Sequence, residues 1–176
     1  MTMSTSATKT NSAVATRQWV VDPSRSTVEF KVKHVWGLRT VTGRFTRFGG
    51  TYTAVDDGAT IELDIDAGSL DTGNRHRDRH LRGTDFFDVE QDPHVRFTSE
   101  HVRDLGNGKL WVDGELEAAG KRIPVSFEAS RRDVGDDLEL EATTTVDQRL
   151  LGMTYSALGT LRAPSTLHVR ARLTPA

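Results

Sequence analysis

The chain has 176 residues, of which 36% are hydrophobic and 27% charged, with no cysteine and a formal net charge of −2. That length and balance fit one soluble domain with an ordinary core. The composition excludes a disulfide framework, a thiol nucleophile and a cysteine metal site. Its near-neutral charge argues against a protein that coats nucleic acid.

Residues 1–16 are rich in Ser and Thr and nearly free of large apolar side chains. They read as a disordered tail ahead of a single domain over 17–176. The tail lacks the apolar run of roughly 7–15 residues of a secretory signal. No stretch reaches the ~20 apolar residues of a membrane-spanning helix. The expectation is a cytoplasmic protein with no membrane span.

From there on, period two dominates. A short strand is expected at 18–21, where Trp19 reads as a plug or staple. Val28, Phe30 and Val32 share one face of 27–34, with His34 falling on the same face and Glu29, Lys31 and Lys33 on the other. This is the signature of a half-buried strand. Strands at 40–47 and 50–55 follow, divided by Gly49–Gly50. Ile61, Leu63 and Ile65 then alternate with acidic residues, and Val95 and Phe97 alternate with Arg96 and Thr98. Further alternating runs cover 110–118, 123–129, 138–146 and 167–173. Turn chemistry separates them at 56–58, 106–108, 119–120 and 135–137. Only 75–82 has helical character.

About eight to ten antiparallel strands, each with one apolar face, must close into a barrel or stack as a sandwich. Gly43, Gly114, Ala118, Ala129, Ala142 and Ala171 stand among the large inward residues. Small inward residues favour a barrel with a lumen, and eight strands make a barrel that fills itself or holds one small ligand. Val32, Phe45, Ile61, Leu63 and Ile65 are the expected lumen wall. No internal repeat, linker or second domain is visible.

Between Ser69 and Phe97 the pattern breaks. Arg75, Arg77, Arg79 and Arg82 crowd together with His76 and His80, and the apolar pair Phe86–Phe87 follows. Guanidinium groups fork phosphate oxygens, so Arg77, His80 and Arg82 are candidates for an anionic or polar head group. The alternative is a solvated turn stitched by Asp78 to Arg75 or Arg82. His76 and His80 have the four-residue spacing of zinc proteases, but Arg77 stands where the carboxylate belongs and the surroundings are cationic. No metal is expected. Adjacent residues of an extended chain point opposite ways, so one of Phe86 and Phe87 is expected to pack as core and the other to face a lumen. Met153 and Tyr155, with Leu158, lie in an irregular apolar stretch suited to core packing or to a lumen wall. No G-x-S-x-G or P-loop is present. Ser69, Asp71 and His76 carry no sign of triad geometry beyond their proximity in sequence.

Taken in order, W-V-V-D-P-S-R-S-T-V-E-F-K-V-K-H at 19–34, V-T-G-R-F-T-R-F-G-G at 41–50, D-T-G-N-R-H-R-D-R-H-L-R-G-T-D-F-F-D-V at 71–89, D-P-H-V-R-F-T-S at 92–99 and G-E-L-E-A-A-G-K-R-I-P-V-S-F at 114–127 resemble the YceI-like family of polyisoprenoid-binding proteins. The resemblance implies an all-β, lipocalin-like antiparallel barrel of about eight strands with a short helical insertion. It implies a long apolar tunnel for an isoprenoid lipid, with a polyprenyl phosphate or a quinone as examples. It brings no catalytic residues and no cofactor other than that lipid. The candidate ligand-binding residues are Val32, His34, Trp36 and Phe45 on the first strands, Arg77, His80, Arg82, Phe86 and Phe87 in the basic segment, and Met153 and Tyr155 near the end. The expected partner is the lipid alone, with no nucleic acid; a homodimer is left open. The alternatives are an enzyme acting on a lipid or anion in the same cavity, and a filled barrel serving as an interaction module.

Overall fold

In a computed structural model of the chain, residues 16–34, 39–56, 58–153 and 164–176 are described. The strands are β1 (Arg17–Val21), β2 (Thr27–His34), β3 (Arg39–Phe45), β4 (Phe48–Val55), β5 (Gly58–Asp66), β6 (Leu70–Asp71), β7 (His94–Gly106), β8 (Lys109–Ala118), β9 (Lys121–Val134), β10 (Asp137–Val146) and β11 (Ser165–Pro175). One α-helix, α1 (Arg75–Arg82), interrupts them. All pairings are antiparallel.

These segments close into a barrel of eight staves. The count works because two staves are each made of two consecutive strands. β11 pairs with β2 through Thr166–Arg170 and with β1 through Leu173–Pro175. On the far side β2 pairs with β3, and β1 pairs with β4. β1/β2 and β3/β4 are therefore two bent staves. The break in the second falls at Thr46–Arg47; Gly49–Gly50 lie inside β4 instead of dividing two strands. The break in the first is a short 3-10 turn at Pro23–Arg25, capped by the Asp22 carboxylate. Remaining hairpins reverse where Gly and Asn supply left-handed backbone, as at Gly106-Asn107-Gly108.

At the base, apolar residues fill the barrel. Trp19 and Tyr52 are buried and meet edge to face at 5.8 Å between ring centroids. The Trp19 indole N–H donates to the Asp136 carbonyl at 2.9 Å, which satisfies its one polar atom. Arg131 lies over the Tyr52 ring, and Leu110, Val112 and Leu138 complete the plug. The first tryptophan is thus the staple that its place in the sequence suggests.

Gly43 and Gly114 do not open space, contrary to the expectation from the sequence. A methyl group on Gly43 would lie 2.3 Å from Cζ of Phe30, and one on Gly114 would lie 2.9 Å from the Phe97 ring. Each glycine lets an aromatic ring lie flat on the barrel wall. The alanines behave as expected: Ala118, Ala129, Ala142 and Ala171 all border empty space.

Candidate functional site: an apolar tunnel with a polar mouth

Above the plug the barrel encloses a cavity of about 440 Å³, within the ~300–1,000 Å³ of small-molecule pockets. Its wall is made by the inward faces of the staves. Val32, Phe45, Ile61, Leu63 and Ile65, the five residues expected from period two, all border it. Phe30, Phe45 and Phe87 form a chain of rings with centroids 5.5 and 5.8 Å apart along one side. Phe97 and Phe127 pair at 5.4 Å. Leu140, Leu167 and Val169 add aliphatic wall.

Thr51 and Glu62 border the cavity on β4 and β5, and Arg77, His80, Gln148 and Ser165 border it at the end away from Trp19. Helix α1 stands there because Asn74 caps it: its side-chain oxygen accepts the N–H groups of His76 and Arg77 at 3.1 and 3.0 Å. The helix presents two stripes. Arg77, His80 and Leu81 border the tunnel, while Arg75, Asp78, Arg79 and Arg82 border a cleft on its other side. His80 borders the cavity, and its side chain is 43% exposed.

The arginines have structural work that their sequence does not reveal. Arg77 donates from Nε to the Thr72 hydroxyl at 2.7 Å and from Nη2 to the Thr72 carbonyl at 2.8 Å. Arg82 donates to the carbonyls of Gly68 and Leu70 at 2.9 and 2.5 Å. It borders the cleft and not the tunnel, so its grouping with Arg77 and His80 around one head group is corrected: the two stripes lie on different faces of the helix. Asp78 is buried and accepts the Thr72 N–H at 3.0 Å and the Thr72 hydroxyl at 2.5 Å. The stitch expected from Asp78 to Arg75 or Arg82 therefore runs to Thr72 instead.

Phe86 and Phe87 both border the tunnel. They lie in a turn after α1, not in extended chain, so the expectation of opposite directions does not apply. Phe86 meets the His80 ring edge to face at 5.2 Å, and Phe87 meets Phe45. Met153 is buried and borders the tunnel beside Leu151. Trp36, Tyr155 and Leu158 lie outside the described residues, as do the side chains of His34 and Arg39.

Sequence reasoning missed Gln148. It is buried at the mouth, and its side-chain oxygen accepts the N–H and the hydroxyl of Ser165, both at 3.1 Å. A lone Gln before an irregular stretch carries no pattern that would single it out. Ser69 is equally committed: its hydroxyl donates to the Asp66 carbonyl at 2.7 Å and accepts the N–H groups of Thr46 and Arg47. That leaves it a turn-holding residue with no nucleophile geometry. Among the described residues no His, Asp or Glu side chains gather in a group able to hold a metal, and no helix is long and apolar enough to cross a membrane.

A YceI-like domain model matches residues 19–173. This chain belongs to the YceI-like family. Among its relatives is a UPF0312 protein of Shewanella denitrificans, 35% identical over 131 residues, which are 71% of this chain and 68% of that protein. Another, from Vibrio campbellii, is 33% identical over 68% of this chain and 65% of its own. The match thus spans about two thirds of the length of these relatives. The crystal structure of Burkholderia cenocepacia BcnA superposes with a TM-score of 0.75 over 87% of this chain and 98% of its own, at 18% identity. A structure described as a polyisoprenoid binding domain from Saccharophagus degradans superposes with a TM-score of 0.71 over 93% of this chain and all of its own, at 14% identity. At those identities the structural likeness shows a shared barrel; the family model and the 35% relative show the membership.

Proposed function

We propose that this YceI-like domain binds a long-chain isoprenoid lipid in the tunnel and carries or stores it there. The observation that supports this most is the separation of chemistry along the barrel axis: an apolar wall ending in one polar mouth. The description of the Saccharophagus neighbour as a polyisoprenoid-binding domain points the same way. Burial supplies the affinity. At ~0.8 kcal/mol per methylene, each isoprene unit contributes roughly 3–4 kcal/mol gross, from which chain ordering removes a large share.

The committed donors of Arg77 bear on the head group. With Nε and one Nη2 proton engaged by Thr72, three N–H donors of Arg77, two on Nη1 and one on Nη2, remain to meet a ligand, and Arg82 is turned away. That outer edge, Nη1 with the second Nη2 proton, can fork two oxygens of a phosphate or meet the single oxygen of a quinone ring. Both a polyprenyl phosphate and a quinone-type head fit this edge.

Native mass spectrometry of the purified protein, followed by solvent extraction, tests the binding. A co-purifying isoprenoid is expected; a protein of bare mass that takes up no isoprenoid ends the carrier reading. Titration with a polyprenyl phosphate and a prenylquinone of equal length tests the head. Tighter binding of the phosphate by more than about tenfold, roughly one charge-assisted hydrogen bond, assigns a phosphate head; equal or tighter binding of the quinone assigns a quinone-type head.

A further inference from the structure

The cations of this chain are not evenly partnered. Towards the base, Arg25, Arg172, Arg132, Arg131, Lys109 and Arg103 each face a carboxylate, and Arg17 stacks over Trp19. Around the mouth, five exposed cations have no carboxylate within ion-pair distance among the described residues. Lys31 and Lys33 stand on the outer face of β2 with threonines as cross-strand neighbours: Thr42 and Thr166 beside Lys31, Thr40 beside Lys33. Arg75 and Arg79 project one turn apart from α1. Lys121 starts β9, and its stem runs over Gly152. Next to Gly152 in the chain, Leu150 holds its side chain out at 63% exposure, the most exposed large apolar residue among those described. Asp85 stands 4.0 Å from His80. Asp88 and Glu90 share the cleft behind α1 with Arg75 and Arg79, at no ion-pair distance.

We propose that the mouth end docks on an anionic lipid bilayer. Cations set around an apolar opening, with one exposed leucine among them, complement a surface whose head groups are negative and whose interior is apolar. The overall charge of −2 makes this a local attraction that leaves the rest of the barrel repelled, which orients the mouth towards the lipid. The proposal rests on the carrier reading for its purpose, since a lipid must leave a bilayer to enter the tunnel, but not for its evidence.

The test is co-sedimentation of the full chain with vesicles of phosphatidylglycerol and phosphatidylcholine, and with vesicles of phosphatidylcholine alone. Binding to the anionic vesicles is expected, with loss at about 0.5 M salt, where screening shortens the reach of surface charge to a few ångströms. Each basic residue near the surface contributes about fivefold in partitioning. Arg75→Gln, Arg79→Gln and Lys121→Gln together should cut binding by at least about tenfold, and Leu150→Asp should weaken it further. Lys109→Gln at the base should leave it unchanged. All substituted sites are exposed, and thermal unfolding confirms that each variant folds. Equal binding to both vesicle types, no binding to either, or full binding by the triple variant would overturn the proposal. Isoprenoid retention, measured on the same variants without vesicles, separates the two readings. A triple variant that keeps its lipid and still sediments refutes docking alone. A wild type that sediments but never holds a lipid refutes the carrier reading alone.

Discussion

Asp78 carries more of the site than any arginine around it. It is the buried acid of α1, and both of its contacts go to Thr72, whose carbonyl and hydroxyl in turn hold Arg77. Removing it strands the Thr72 N–H in a buried place. Asp78→Ala should cost about 2–3 kcal/mol, read as a shift of the urea midpoint without change in slope. Arg77→Gln, by contrast, should weaken prenylquinone binding while costing about 1 kcal/mol or less of stability, because it leaves Thr72 on Asp78. Ser99 gives a milder case. Its hydroxyl accepts the Ile61 N–H at 2.8 Å beside the irregularity between Ser99 and His101 in β7. Ser99→Ala should cost about 1 kcal/mol in the same assay. At this scale the sequence showed which residues were charged but not whom they served. The partners of Arg82 are carbonyls twelve and fourteen residues back, and no local pattern encodes them.

At the level of elements the sequence was much clearer. Strands with one wet and one dry face write period two into the chain, and the tunnel wall follows from it, down to Val32 and Ile65. What misled were glycines and a doublet. Gly49–Gly50 look like a turn, yet the β4 backbone passes there so close to β5 that a methyl on Gly50 would lie 2.3 Å from the Glu62 carbonyl. Phe86–Phe87 read as strand, but the chain turns after Gly83 and gives both rings to the lumen. The outer faces have their own register. Arg172, 17% exposed at its side chain, bridges Asp137 at 3.0 Å and Glu139 at 2.6 Å; Arg132 also meets Glu139, and Arg25 meets Asp137. This ladder stitches β9, β10, β11 and the first turn. Arg172→Ala should cost about 1.5–3 kcal/mol, seen as a lower thermal midpoint that 1 M salt only partly masks, since the pair is mostly covered.

For the molecule as a whole, closure of the barrel replaces sheet edges with ladders and leaves stability to packing and to the outer charges. Those charges fix its response to acid. The Ser24 hydroxyl and then Arg25 hold Asp22 down to about 2. Arg132 and Arg172 lower Glu139, and His168 and Arg170 lower Glu141. A carboxylate lowered in the folded state stabilises fully above its unfolded value near 4 and ceases to as pH falls through the folded value. Stability should therefore be level from about pH 7 to 5 and fall between about pH 4 and 2. Thermal midpoints across that range check it; a midpoint that rises on acidification would contradict the sign. Filling the tunnel separates storage from folding: Ala142→Phe should abolish isoprenoid retention and keep the thermal midpoint, because the added ring occupies space that is empty.

The ladder between β9 and β10 ends at Ala129 and Ala142. Beyond that point β9 pairs only with β8, and β10 only with β11, among the described residues. The barrel is therefore a hoop with an expansion joint. The β8–β9 and β10–β11 ladders on either side are held by hydrogen bonds that cannot stretch; across the joint the girth is set by side chains such as Val125, Phe127 and Thr144, which can slide. A cargo wider than its own tail can pass the joint without breaking a single backbone hydrogen bond. The cost of widening then falls on rotamers, and under the proposed function one barrel would take lipids of more than one thickness.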